Sequence, residues 1–235
     1  MWCKIYSFAA NINPMKKLLF PALAILAFGF TTQAQDVKFG VKAGYNLSSF
    51  TGDGADGIEN LSGCSAGLVA EVKISDRFSV QPELLYSMQG AKGSFTGFVD
   101  PTIFAQADLT TRVNYIAIPV MAKVYAAKGF SIEAGPQVSF LVAAKNKVEG
   151  TFTDMTSGFS QNVNSTQDAK KMYKGTDFGV NVGAGYQFDN GIFLQARYNV
   201  GLTEIGEEYS EDGTSYEAAK VKNSVFAFSL GYSFK

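Results

Sequence analysis

Eight stretches of the chain alternate apolar residues with small or polar ones at a period of two, the signature of strands with two unlike faces. They run over roughly 37–47, 63–74, 78–90, 113–125, 130–143, 177–188, 192–202 and 223–234. The first sets Val37, Phe39, Val41, Ala43, Tyr45 and Leu47 against Lys38, Gly40, Lys42, Gly44 and Asn46. The last sets Phe226, Phe228, Leu230, Tyr232 and Phe234 against Val225, Ala227, Ser229, Gly231 and Ser233. No amphipathic helix longer than three turns competes with this reading.

The connections alternate too. Ser75–Arg77, Ala126–Gly129 and Asp189–Gly191 read as tight turns, with Asn190-Gly191 a strong hairpin signal. Long loops are expected over about 48–62, 91–112, 144–176 and 203–222. Short turns at one end and long loops at the other characterise outer-membrane barrels, whose turns are periplasmic and whose loops are extracellular. The predicted fold is therefore all-β: an eight-stranded antiparallel up-and-down transmembrane β-barrel, with both termini on the periplasmic side.

Alternation leaves open which face points inward. A soluble lipocalin-like barrel would enclose the apolar set around a ligand and coat its exterior with charge. Here the polar set is mostly Gly, Ser, Asn and Gln, and only 17% of the chain is charged, against roughly 25% for soluble domains. Aromatic residues sit at both strand ends: Phe39, Phe78, Phe130, Phe188 and Phe234 near the turns, Tyr45, Tyr86, Phe140, Tyr198 and Phe226 toward the loops. Strands of 11 to 14 residues exceed the roughly 9–11 needed to cross a bilayer tilted. The apolar set is assigned to lipid.

The charged residues of the opposite parity are then Lys42, Glu71, Lys73, Glu83, Lys123, Glu133, Asp177 and Arg197, four basic and four acidic. An eight-stranded barrel is only wide enough for side chains to fill, and buried charges need partners to offset desolvation. These residues are expected to form a lumen salt-bridge network with a structural role. Turn geometry places Lys123 opposite Glu133, and Arg197 opposite Gly183 beside Gly185. A proton or ion path is the competing reading. Pro82, Pro119 and Pro136 sit at similar heights on adjacent strands. Proline cannot donate to a ladder, so a bulged or hydrated seam is expected there.

The N-terminal residues locate the protein. "MKKLLFPALAILAFGFTTQAQ" has two lysines, an apolar core from Leu18 to Phe30 and a small-residue exit, the pattern of a cleaved signal peptide. Translation is expected to start at Met15, with cleavage after Ala34, leaving residues 35–235 as one barrel domain. A retained anchor is the alternative, although the apolar core is short for a span. Removing Lys4, Lys16 and Lys17 leaves 17 basic against 21 acidic residues, a net charge of about −4, which argues against a nucleic-acid partner. Cys64 is then the only cysteine, read as a small apolar side chain.

Candidate chemistry is sparse. The chain has no histidine, which removes the commonest general base and metal ligand. No catalytic, cofactor-binding or metal-binding residue is assigned, and no cofactor is expected; an acid-only hydrolase remains as an alternative. Gly183 and Gly185 lack the third glycine and following helix of a dinucleotide site. Two acidic loops carry Asp53, Asp56 and Glu59, and Glu204, Glu207, Glu208, Glu211, Asp212 and Glu217. Neither has EF-hand spacing, and solvated loops are the simpler reading. The loop over 144–176, rich in Ser, Thr, Asn and Gln and ending in "AKKMYK", is the best candidate for a partner surface.

Five phrases, "VQPELLYSMQG" (80–90), "NYIAIPVMAKVY" (114–125), "IEAGPQVSFLV" (132–142), "DFGVNVGAGYQF" (177–188) and the closing "SLGYSFK", resemble the PorT-like or "porin family" outer-membrane barrels of Bacteroidetes. The resemblance spans the whole mature chain. It implies an outer-membrane location, eight strands, and insertion by the barrel-assembly machinery reading the terminal aromatic strand. It further implies outer-membrane lipid and lipopolysaccharide as partners. The name-giving PorT proteins are associated with protein secretion by the type IX route, so secretion-system proteins are possible partners of the loops. Three functions stand at this point: a closed structural or loop-presenting barrel, a secretion accessory, and a small pore or ligand binder.

Overall fold

Strand alternation carries on well past the ends expected from sequence. The computed structural model describes residues 37–234 apart from 54, 56, 212 and 213, and apart from the side chains of 211–216. The signal peptide, Met15, Ala34, Asp56, Asp212 and the side chain of Glu211 lie outside the described residues. The strands are β1 (Val37–Gly52), β2 (Ile58–Lys73), β3 (Phe78–Asp100), β4 (Ile103–Ala127), β5 (Phe130–Asp154), β6 (Ser160–Asp168), β7 (Thr176–Gln187), β8 (Ile192–Gly201), β9 (Tyr209–Glu211), β10 (Thr214–Tyr216) and β11 (Val221–Ser233). A 3₁₀ turn, Lys170–Met172, precedes β7.

Eight of these strands close a ring, in the order β1-β2-β3-β4-β5-β7-β8-β11 and back to β1, every pairing antiparallel. Closure removes the open edges that would otherwise expose backbone groups to lipid. β6 lies outside the ring, paired only with the far half of β5, while β9 and β10 form a separate small hairpin. The three turns at the end where β1 begins and β11 ends are short, and two depend on glycine at positive φ, Gly129 (77°) and Gly191 (93°).

The expected loops over 91–112 and 144–176 are a correction. β3 and β4 continue together to a turn at Pro101-Thr102, and β5 runs on to Asp154 before β6 folds back along it. A four-stranded blade thus stands beyond the barrel. Between β1 and β2 only residues 53–57 are left as connection. The reason lies in the polarity of the alternation, which inverts where the blade begins. Along β4 the outward positions Ile116, Ile118, Val120, Ala122 and Val124 give way to Asn114, Arg112, Thr110, Asp108 and Gln106, while Val113 and Ala105 are buried on the inward side. Water rather than lipid now meets the outer face, so the apolar residues change sides.

A bulge helps β5 follow this change. Tyr115 pairs with Leu141 but Asn114 pairs with Ala143, leaving Val142 extra. Inward positions therefore pass from odd numbers (Glu133, Ser139, Leu141) to even ones (Ala144, Asn146, Val148), a parity step that one inserted residue produces.

Within the ring the outer face is apolar and exposed, with aromatics in two girdles. Phe39, Phe130, Phe188 and Phe234 stand near the turns, and Tyr45, Tyr86, Tyr198 and Phe226 toward the blade. The upper tyrosines are hydrogen-bonded: Tyr45 to Ser62 (2.7 Å), Tyr198 to Ser224 (2.7 Å), and Tyr86 accepts from Asn114 (2.9 Å). Amphipathic rings at this level suit a membrane–water boundary.

Candidate functional site

Side chains of lumen parity fill the barrel in layers. Nearest the short turns, Glu71 on β2 accepts hydrogen bonds from Ser79 (2.8 Å) and Tyr125, and pairs with Lys123 on β4 at 3.0 Å. Lys123 also donates to Gln81 (3.0 Å) and lies 3.8 Å from Glu133. Glu133 is gripped by Arg197, whose Nε and Nη2 approach one carboxylate oxygen at 2.7 and 2.6 Å. Arg197 reaches Glu83 with Nη1 (2.8 Å), and Glu83 holds Lys42 at 2.7 Å. Lys42, Glu83, Lys123, Glu133 and Arg197 are all buried.

Six of the eight sequence-assigned charges, Lys42, Glu71, Glu83, Lys123, Glu133 and Arg197, thus form one connected chain of three cations and three anions. Lys73 and Asp177 do not join it. Lys73 ends β2 at the mouth, with its side chain 43% exposed and 3.4 Å from Asp76; water solvates its ammonium there. Asp177 lies at the opposite end of the lumen, where Asn223 donates to it at 2.8 Å. Lys123 is in register with Glu133, yet its nearer carboxylate is Glu71.

Glycine makes this grip possible. Gly183 faces Arg197 in register, and a Cβ there would stand 2.8 Å from the arginine Cγ. At Gly185 a Cβ would meet Glu133 Oε1 at 2.6 Å. Sequence reasoning missed the neutral groups that complete the network: Gln81 donates to Glu83 (2.6 Å), and Gln195 bonds both Lys42 (3.2 Å) and Glu133 (3.2 Å). Their signal was present, since both share lumen parity, but only charges were considered.

Above the ion pairs lies an amide and hydroxyl layer. Asn46 bonds Ser87 and Ser65, Asn181 donates to Gln137, and Asn199 donates to Asn181, at 3.1–3.2 Å. The cavity here is about 50 Å³, room for a few waters at most. Higher still is an apolar cap built on Phe50, Val113, Tyr115, Leu141, Ile205 and Val221. Residues 169–175 and 205–207 are strapped across it by Ala169 N–H to Ala144 C=O (3.0 Å), Lys174 N–H to Ile205 C=O (2.8 Å) and Glu207 N–H to Met172 C=O (2.9 Å). Ile205, with no exposed surface, inserts at its centre. From sequence alone Ile205 falls in an acidic loop that reads as solvated, because one isoleucine carries no period.

The three prolines lie within one belt of the wall. β3 and β4 pair at Pro82↔Val120 and resume at Leu85↔Ala117; β4 and β5 pair at Pro119↔Gln137 and next at Ala122↔Ala134. β2 and β3 pair at Val69↔Glu83 and next at Val72↔Val80. These gaps carry no register shift, so no extra residue is inserted at them. Pro136 keeps its pairing with Val180 on β7.

The chain belongs to the outer membrane protein beta-barrel domain family, whose model matches residues 33–207. It is an outer-membrane β-barrel protein. Solved structures similar to it include Ail, the attachment invasion locus protein of Yersinia pestis (13% identity, 84% of this chain and 98% of that one, TM-score 0.43). Neisserial surface protein A (13%, 83% and 97%, 0.42) and OprG from Pseudomonas aeruginosa (14%, 85% and 97%, 0.37) are others. A search of curated proteins gave no match.

Proposed function

We propose that this protein is a non-catalytic, solute-tight barrel of the outer membrane that holds a rigid extracellular blade above the lipid surface. The observation that carries the reading is the double seal. A connected ion-pair chain closes one half of the lumen and an apolar cap closes the other, with about 50 Å³ between them. A pore would need a continuous water column; a chamber of roughly 300 Å³ or more, as a ligand binder needs, is absent between the two seals, the larger space of about 690 Å³ lying at the short-turn mouth beside Lys73, Lys128 and Phe188. In planar bilayers the reconstituted protein shows no stable conductance steps; large, reproducible steps would refute the closed lumen.

The motif resemblance supports a finer placement among the PorT-like barrels of Bacteroidetes, and with it a second reading as an accessory of the type IX secretion route. On that reading the blade and its loops bind secretion-system proteins. Secretion-machine subunits would co-purify from gently solubilised membranes, and their absence, with secretion intact in a deletion strain, would remove it. Under either reading export begins with the N-terminal signal peptide. The barrel-assembly machinery then reads the terminal strand "VFAFSLGYSF".

A further inference from the structure

β6 leaves half of its backbone hydrogen bonding unmade. At its two ends the ladder to β5 is fixed by Asp154 N–H to Phe159 C=O (2.9 Å) and Ala169 N–H to Ala144 C=O (3.0 Å), and the register between them runs without a shift. Facing residues of an antiparallel pair alternate between exchanging both bonds and exchanging none. The odd-numbered residues of 161–167 therefore bond to β5, while Ser160, Asn162, Asn164, Thr166 and Asp168 turn their N–H and C=O groups to the free side. Among the described residues no strand pairs with that side and no backbone bond meets those groups. Native edges of this kind are blunted by lysine, proline or a bulge. β6 has none of these: it reads "SQNVNSTQD", charged only at its last residue, Asp168. Charge is plentiful one strand in, with Lys145, Lys147 and Glu149 on β5, and stops at the edge.

The strand that fits this edge is β6 itself. In an antiparallel self-pairing centred on Asn164, Ser160 faces Asp168, Asn162 faces Thr166, and Asn164 faces its own copy. Residues that turn their backbone groups to the free side then meet residues that do the same, along the full strand. Five facing pairs exchange roughly ten backbone bonds. No like charges oppose each other, and the Asn164 amide is self-complementary, offering both donor and acceptor. The contact is isologous and closes at two copies.

The symmetry also fixes where the second copy sits. A two-fold axis that relates two antiparallel neighbours is normal to their sheet. The blade continues the upright barrel wall, so that axis lies in the plane of the membrane and inverts the second copy. We propose that β6 is a homophilic contact, pairing edge to edge with β6 of a second copy in a facing outer membrane. Two four-stranded blades then form one continuous sheet between the two membrane surfaces. This inference rests on the reading of the blade as an extracellular platform and names what the platform binds.

The test reconstitutes the full chain into phosphatidylcholine vesicles, with the outward-facing fraction measured by protease access and clustering followed by light scattering. Wild-type vesicles are expected to cluster. Asn164→Lys and Asn164→Glu each lose clustering, because like charges then meet on the two-fold axis, and mixing the two populations restores it. Both variants give up the bond from Asn164 to Glu149 (3.1 Å), so its loss cannot account for rescue on mixing. On clustering, amide exchange slows at Asn162, Asn164 and Thr166 and is unchanged at Val163 and Ser165, which are already bonded to β5. Should a charged variant not fold, Asn164→Pro decides: its missing N–H faces the free side and spares the ladder to β5, and it is expected to stay dispersed. Clustering that persists in Asn164→Lys or Asn164→Pro vesicles alone overturns the proposal, as does a mixture without rescue or a wild type that stays dispersed. Association confined within single vesicles would mark β6 pairing with the β3 edge of an upright neighbour, and overturns it too. Failure of the closed-barrel reading is distinct: the vesicles would conduct whether or not they cluster.

Discussion

The ring and the blade are built from the same strands, yet they are inside-out relative to each other. In the ring β4 turns Ile116, Ile118 and Val120 outward and Lys123 inward; earlier on the same strand, in the blade, it turns Asp108 and Arg112 outward and Ala105 and Val113 inward. The backbone is continuous and its pairing hardly changes. What changes is the solvent beyond the wall. Lipid requires an apolar exterior and leaves charge to be paired inside, whereas water accepts charge outside and drives apolar residues together. The crossover falls where Asn114 meets the Tyr86 hydroxyl and Val142 bulges.

The largest expected break in this contrast is Arg197→Met. It strips Glu83 and Glu133 of their shared cation inside the ring, and unpairing buried charge costs about 3–5 kcal/mol; equilibrium urea unfolding in lipid reads the loss. Leu141→Ala opens a hole under the blade's apolar cap, and a deletion of that size costs about 2–5 kcal/mol. The same unfolding curves should show it, and on the proposed closed-lumen reading conductance stays absent.

A matched pair sharpens the boundary. Val120→Lys places a charge against lipid and is expected to destabilise by about 2–4 kcal/mol. Gln106→Lys, on the same face of the same strand but in the blade, where it faces Thr96 and Thr151, should stay within about 0.5 kcal/mol. Equal costs would mean that the outer faces of ring and blade meet the same solvent.

The smallest effect is at the blade's tip. The Ser157 hydroxyl (2.7 Å) and the Thr156 N–H (2.8 Å) both donate to Asp154, holding its carboxyl below the ordinary 3.8. A lowered pKa contributes stability above 3.8 that is lost as pH falls through the folded-state value. Amide exchange in residues 155–159 should therefore quicken in acid relative to the ring, and Asp154→Asn should flatten that dependence.

How far the sequence could be read follows from the same contrast. In the ring, aromatic and β-branched residues recur every second position over ten or more residues, so strand number, order and lipid face were all legible. The blade has a period of two as well, but it is written in Gly, Ala and Thr with the parity reversed, and its composition resembles a loop. Comparing which parity is apolar on the two sides of residue 113 would have exposed it. The cap was not legible, because Ile205, Ala169 and Tyr173 come from irregular segments and meet only in space.

Local chemistry also set which charges could share the lumen, since parity alone separates Lys42, Glu83, Lys123, Glu133 and Arg197 from the lipid face. Which of them pair was decided by the closed ring. Closure brings Arg197 on β8 to Glu83 on β3, 114 positions away in the chain, and leaves Lys123 closer to Glu71 than to its register partner. Alternation is a property of neighbours along the chain, and the sequence by itself determined a barrel with a polar interior. Distances across the lumen depend on stagger, on where glycines admit a longer side chain, and on which strands face one another after closure. Those only the tertiary structure decided.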